Sequence, residues 1–281
     1  MSVVTGIPGI VVGQQTVNSF TIDRKRDAKT WVSSGAAGME SQIPGNTDWS
    51  GSIDFNGFLP AVLPGSGFTF TGQTDTGKWY TGTAIMESMT VNVNPGTAEV
   101  IKTSCKFAAN GALSAATGSA KTDVAAPSVY SSISCGATWG TSVPHAINDV
   151  QSWSFTMSCA LKPYNSSDTG AQTLRKAGNK SGSVSITALM GDPAAFSTST
   201  GEGVITPGDV QRLQLFCTPA ALNWDLKYCQ LESAGQSVNV ESADLQTVNY
   251  SFKFSGFGLV TGTWTQGFIK TPEGSPTTIY P

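Results

Sequence analysis

The sequence predicts an all-β protein made of two tandem copies of one domain, each a β-sandwich or half-barrel with a short flanking helix. Three observations carry that expectation. Apolar and polar residues alternate with period two along most of the chain. Charged residues make up only 12% of it. A set of short segments recurs in the same order in both halves. Strict alternation puts successive side chains on opposite faces of a strand, the pattern of a half-buried sheet. Little charge with abundant Gly, Ser and Thr suits sheets whose surfaces are largely committed to neighbours.

The repeat can be traced segment by segment. Val17-Asn-Ser-Phe and Val150-Gln-Ser-Trp open the two copies. GNTDWSGSIDF (Gly45–Phe55) matches GNKSGSVSI (Gly178–Ile186) after a two-residue gap, and PAVL (Pro60–Leu63) matches PAAF (Pro193–Phe196). Trp79–Ser88 aligns with Trp224–Ser233, and Thr90–Phe107 with Ser237–Phe254, both ungapped. Two copies of ~100 residues are too few and too long for a solenoid. The expected organisation is an N-terminal arm at 1–16, a first domain at 17–113, a linker at 114–149, a second domain at 150–261 and a C-terminal arm at 262–281. The linker assignment rests on the small, polar, Pro-ended stretch Ser114–Pro127. Both arms are broken by Gly and Pro, and the prolines at 272, 276 and 281 bar a central strand there.

Within each copy the clearest element is a long antiparallel hairpin. Met89, Val91 and Val93 share one face, with Ser88, Thr90 and Asn92 opposite, and Asn94-Pro95-Gly96-Thr97 reads as the turn. The returning strand puts Ile101, Thr103, Cys105 and Phe107 on the apolar side, with Lys102, Ser104 and Lys106 on the other. In the second copy Val248, Tyr250, Phe252 and Phe254 oppose Asn249, Ser251 and Lys253. Phe107 and Phe254 end the matched strands and are expected to be equivalent buried anchors. The short helices are expected at PAVL and PAAF, where proline suits a first helical turn.

Chemistry is sparse. The net charge is −3, and the one basic cluster, Arg24-Lys25-Arg26 with Lys29, reads as a guarded strand edge rather than a nucleic-acid footprint. The five cysteines include no C-x-x-C pair. Cys105 aligns with Phe252, so the cysteines are expected to be core thiols in a reducing cytoplasm, where no signal peptide is needed. No run of 18 apolar residues occurs, so no membrane partner is expected. Gly72–Lys78 (GQTDTGK) approaches a phosphate-binding loop, but Trp79 stands where that loop needs Ser or Thr, and the segment from Trp79 onward reads as a strand, not a helix. His145 is the only histidine, which excludes multi-histidine metal centres. Glu87 and Glu232 are equivalent positions on different copies, not a catalytic pair. No enzyme activity and no cofactor are expected.

The first copy resembles the major tail tube proteins of long-tailed bacteriophages. The residues that carry this are NTDWSGSIDFNGFLPAVLPGSGFTFTG (Asn46–Gly72), TGTAIMESMTVNV (Thr81–Val93) and FAANGALS (Phe107–Ser114). The second copy keeps only the frame, ending in FSGFG where the first has FAANG. The resemblance implies sandwich domains whose inner sheets line a channel, with loops and terminal arms locking stacked rings into a tube for genome ejection. It implies a homotrimeric ring of pseudo-sixfold symmetry, contacts with a tape measure protein and with tail terminator or distal tail proteins, DNA passing without tight binding, and residence in a virion tail assembled in the host cytoplasm. A single-ring distal or hub component and an adhesin-like binding module are the alternative readings.

On that reading the polar hairpin faces line the channel: Asn92, Lys102, Ser104 and Lys106 in the first copy, Asn239, Asn249, Ser251 and Lys253 in the second. Glu87 and Glu232 are expected to offset the lysines, because a surface that passes a polyanion must not hold it. If each domain gives four strands to the wall, three chains supply about 24, spaced about 4.8 Å and tilted about 40°. The backbone diameter is then ~48 Å, enough for a duplex.

Overall fold

A computed structural model of the chain describes residues 17–32, 34–36, 39–56, 63–75, 77–118, 131–140, 145–189, 207–208, 210–217, 222–237, 246–261 and 277–278. Nearly all of them are strand. The strands are β1 (Val17–Val32), β2 (Glu40–Asn56), β3 (Gly67–Asp75), β4 (Lys78–Val93), β5 (Lys102–Thr117), β6 (Cys135–Trp139), β7 (His145–Ile147), β8 (Val150–Tyr164), β9 (Leu174–Leu189), β10 (Val210–Cys217), β11 (Leu222–Ser237), β12 (Thr247–Thr261) and β13 (Thr277–Thr278). They form one antiparallel sheet in the order β1-β2-β5-β4-β8-β9-β12-β11-β10-β6-β7, with β3 paired to β4 and β13 to β12.

That order contains the repeat. The first copy runs β1-β2-β5-β4 with β3 on β4, and the second runs β8-β9-β12-β11 with β10 on β11. Five strands in one copy thus have five counterparts in the other, joined to the same neighbours. Short 3-10 turns at Ser34–Ala36 and Ser167–Thr169 sit between the first two strands of each copy. The second of these is closed by a capping box between Ser166 and Thr169 and by Gly170 at φ 58°, a left-handed conformation that glycine adopts without strain.

By contacts the chain divides differently from the two consecutive domains that the repeat suggests. One compact unit is 1–89, 103–127 and 158–180; the other is 90–102, 128–157 and 181–281. β4, β5, β8 and β9 therefore each give residues to both units. The physical reason is length. A strand of 16 residues extends roughly 50 Å, about three times the usual strand.

In the first unit Phe107 is fully buried at the centre of an aromatic cluster. Its ring lies 5.0 Å from Phe70, 5.6 Å from Phe68 and 5.9 Å from Trp49. Trp49 is buried and donates from Nε1 to the Gly111 carbonyl at 2.9 Å. In the second unit Trp153 and Trp224 pack edge to face at 5.4 Å, Trp139 meets Phe252 at 5.0 Å, and Phe155 meets Phe254 at 5.8 Å.

Two further expectations are corrected, those for the linker and for the cysteines. The 114–149 linker contains strands: β6 is buried throughout and pairs with β10 from Leu213↔Trp139 to Cys217↔Cys135. Its apolar run Cys135–Trp139 has too little alternation to read as a half-buried strand, because it is covered on both faces. The cysteines are not all free. Cys135 and Cys217, directly opposite in that register, form a disulfide, while Cys105, Cys159 and Cys229 are free and buried. The C-terminal arm includes β13, two residues paired with Gly258 and Leu259. Apart from Leu63, which is not helical, the PAVL and PAAF segments lie outside the described residues.

Candidate functional site

The candidate site is a face rather than a pocket. Along β5 and Ile101 just before it, buried Ile101, Thr103, Cys105 and Phe107 alternate with exposed Lys102, Ser104 and Lys106. On β12 buried Val248, Tyr250 and Phe252 alternate with exposed Asn249 and Lys253 and half-buried Ser251. Glu87 and Glu232 are exposed, and Asn92 is half-buried. Asn239 lies outside the described residues. A one-residue slip would turn each row into the core, so the core fixes which side chains the face presents.

Phe254 differs from its counterpart: it is half-buried where Phe107 is fully buried. The two nevertheless play one geometric part. A Cβ on Gly51 would collide with the Phe107 ring, and a Cβ on Gly182 with the Phe254 ring. Gly182 is the direct cross-strand partner of Phe254. Each ring covers a glycine on the adjoining strand, which shields exposed backbone that glycine itself leaves open.

The polar face is wider than the two hairpins. In the first repeat Ser19 Oγ donates to Asp54 Oδ2 at 3.0 Å and Ser104 Oγ donates to Asp54 Oδ1 at 2.6 Å. Thr21 and Ser52 share a hydroxyl hydrogen bond at 2.8 Å. In the second repeat the cross-strand pairs are Ser185↔Ser251, Ser183↔Lys253 and Thr187↔Asn249. The Thr187 hydroxyl donates to Asn249 Oδ1 at 2.7 Å. The serines of β2 and β9 were not singled out from the sequence, although their signal was present. SGSI and SGSV are the same alternating segment in the two copies, at Ser50–Ile53 and Ser181–Val184.

Two of the three lysines on this face, Lys102 and Lys253, lie beside carboxylates. Lys253 Nζ lies 2.5 Å from Glu232 Oε1, and Lys102 Nζ lies 3.5 Å from Glu99 Oε2. Glu99 was not anticipated. It is three residues before Lys102 across the end of the turn, a spacing that only the fold brings together. Exposed pairs like these contribute little stability, but they remove local positive field from a hydroxyl-rich surface.

A second polar feature lies away from that face. Arg175 makes a two-pronged pair with Asp48 at 2.8 and 2.7 Å, donates to the Ala109 carbonyl at 2.8 Å, and has its backbone N–H on Asn110 Oδ1 at 3.0 Å. Burial pushes the Asp48 carboxyl upward, but the hydrogen bonds and charge of Arg175, the Trp49 N–H and Lys25 together outweigh it and hold the pKa below its ordinary value of 3.8. Beside it, Thr47 N–H donates to the Ala171 carbonyl at 2.8 Å and Thr173 N–H to the Thr47 carbonyl at 3.1 Å. The end of the β8–β9 hairpin is thereby docked on β2 and β5. Sequence reasoning missed this, because the partners are 127 residues apart.

Two of the free thiols are held in their neutral form. Burial pushes the Cys229 thiol up to about 12, and burial with the Asp54 carboxylate does the same for Cys105. Both thiols stay protonated near neutral pH and are weak nucleophiles. Of GQTDTGK, Gly72–Asp75 ends β3 and Lys78 begins β4, with Asp75 opposite Lys78. Among the described residues no group of three or more His, Cys, Asp or Glu is placed to hold a metal ion, and no helix is long and apolar enough to cross a membrane. No family model matches the chain, and no curated protein is similar enough in sequence to set beside it.

Proposed function

We propose that the chain is a structural virion subunit that assembles into stacked rings forming a phage tail tube. The observation that carries this is the doubled strand order, with one face of each copy polar and Lys102 and Lys253 paired with carboxylates. Each repeat supplies four long strands, so a chain supplies eight and three chains would bring about 24 to a closed wall. That number agrees with a channel wide enough for duplex DNA. A face of hydroxyls and amides, with Lys253 held by Glu232, suits a conduit: a polyanion is retained by unmatched cations, not by neutral hydrogen-bonding groups. The resemblance of Asn46–Ser114 to tail tube proteins supports the same reading. Catalysis has no part in it.

Electron microscopy of the purified chain tests it. Tubes built of rings with three chains each, by mass measurement of an isolated ring, are the expected result. Rings of six chains would remove the pseudo-sixfold arrangement. Single rings that never stack would make the chain a ring component at the end of a tube. A persistent monomer at high concentration would end the tube reading and leave a binding module.

A further inference from the structure

We propose that the Cys135–Cys217 disulfide is a reversible redox site, opened and closed by thiol–disulfide exchange with small thiols while the rest of its unit stays folded. This assignment stands apart from the tube reading and rests on how the two cysteines are held.

The pair lies at one end of the β6–β10 ladder, as directly opposed residues. β6 is only five residues long, whereas β10 is also clasped by β11 from Val210 to Cys217. β6 is therefore the strand that gives way. Cys217 is fully buried and Cys135 is 7% exposed. The residues just before Cys135 are open: Ile133 is 55% exposed, and exposed Ser134 has a left-handed backbone at φ 60°. A residue other than glycine is strained there and keeps that shape only while its surroundings enforce it. Relaxation of this turn opens a path to Cys135 Sγ.

On the far side of the turn the chain is pinned. Ser132 N–H and Oγ both donate to the Glu99 carbonyl, at 2.8 and 2.6 Å, and Ser132 Oγ accepts from Asn94 N–H at 3.2 Å. Beyond the cysteine, β6 stays in register with β10 as far as Trp139↔Leu213. Breaking the disulfide thus leaves Cys135 tethered on both sides, and the two thiols keep a high effective concentration. What loosens is the stretch between the holds. It uncovers the Phe216 ring, which packs on Gly136 so closely that a Cβ there would come within 2.7 Å. Cys229, the remaining cysteine of the unit, lies opposite Gln211 at the other end of β10, remote from the exchange.

Opening begins when the thiolate of a low-molecular-weight thiol attacks Cys135 Sγ. The S–S bond breaks, Cys217 leaves as a thiolate and takes a proton, and a mixed disulfide remains on Cys135. A second small thiolate attacks the small-molecule sulfur of that bond. Cys135 is released and protonated, and the reductant departs as its own disulfide. Two electrons have passed to the protein, and the oxidised reductant closes the site by the reverse sequence. The site is open in a reducing cytoplasm and shut outside it.

The full-length chain in glutathione buffers, from oxidised to reduced, tests this. After acid quenching, denaturation and maleimide tagging, mass spectrometry counts the thiols. Three tags are expected in oxidised buffer and five in reduced buffer, with one curve reached from either direction. On reduction, amides of Ser134–Gly136 should exchange at least ~10-fold faster, with Ser132, β11 and β12 unchanged. Three tags persisting in reduced buffer until the chain is denatured would overturn the proposal, and so would five tags in oxidised buffer. Faster exchange throughout β11 and β12 would make the bond a structural tie and overturn it as well. Cys135→Ala/Cys217→Ala should show the open exchange pattern in both buffers, and a redox response surviving in it would overturn the assignment. Should that variant fail to fold, the tag count and exchange of the unmodified chain decide alone.

Discussion

The two repeats reach one strand order with different chemistry. The first is held by the rings of Trp49, Phe68 and Phe70 gathered on Phe107, with Phe20 against Phe70, and by a charge clamp at Asp48 that receives the β8–β9 hairpin. The second has a looser aromatic row, with Phe254 only half-buried, and adds a covalent tie, Cys135–Cys217, on its β10 side. It also buries the Asp225 carboxylate, 1% exposed, in a two-pronged pair with Arg212 at 2.6 and 2.7 Å. Topology is thus set by which faces are apolar, and many side-chain solutions can satisfy it. A second difference lies at the hairpins. β8–β9 has its partner within the chain, whereas β1–β2 presents the same element with apolar residues uncovered.

Truncating the two anchors gives the sharpest test of that contrast. Phe107→Ala should lower stability by about 3–5 kcal/mol in denaturant unfolding, the range for a buried Phe. Phe254→Ala should cost roughly half as much, because part of its ring is already in water. Equal losses would mean that burial of the ring does not distinguish the repeats. Reduction comes next. Breaking Cys135–Cys217 removes an 82-residue cross-link and should cost about 2–4 kcal/mol. Hydrogen exchange should then rise in β6 and β10, with the strands around Phe107 unchanged.

The glycines provide a matched pair. Gly51→Val and Gly182→Val each drive a Cβ into a phenylalanine ring, and overpacking of that kind costs roughly 1–3 kcal/mol. The Gly51 change should be the worse of the two, since the Phe107 ring is enclosed by Trp49, Phe68 and Phe70. The half-buried Phe254 can swing aside. Similar thermal shifts would show that the second ring is held as firmly as the first. The smallest expected effect is acid loosening of the docked hairpin. The pKa of Asp48 is depressed in the fold, so its contribution is present above the ordinary carboxylate value and is lost as pH falls through the folded one. Exchange in residues 158–180 should therefore rise below about pH 4. Asp48→Asn should flatten that dependence and leave exchange in β11 and β12 unchanged.

Much of this architecture could be read directly from the chain. Alternation at 101–107 and 248–253 assigned each side chain to a face, because a period of two leaves only one register that buries Ile101, Cys105, Val248 and Phe252. The aligned segments marked four equivalent pairs of strands, β1 with β8, β2 with β9, β4 with β11 and β5 with β12, whereas the fifth pair, β3 with β10, is evident only from their places in the sheet. The hydroxyl rows of β2 and β9 were equally present in SGSI and SGSV. They were overlooked because serine alternating with glycine carries little hydrophobic signal.

Other features depended on chain segments far apart in sequence. Arg175 finds Asp48 across 127 residues and Cys135 finds Cys217 across 82, and no local pattern encodes such partners. β6 reads as linker because a strand covered on both faces loses its alternation. The two compact units cut across the repeats because strands of about 16 residues outrun one core. Sequence by itself determined the faces, the strand type and the doubling, all consequences of local periodicity. The tertiary structure decided which edge meets which, since an edge's backbone hydrogen bonds are the same for every sequence and are allotted only when the whole sheet is in place.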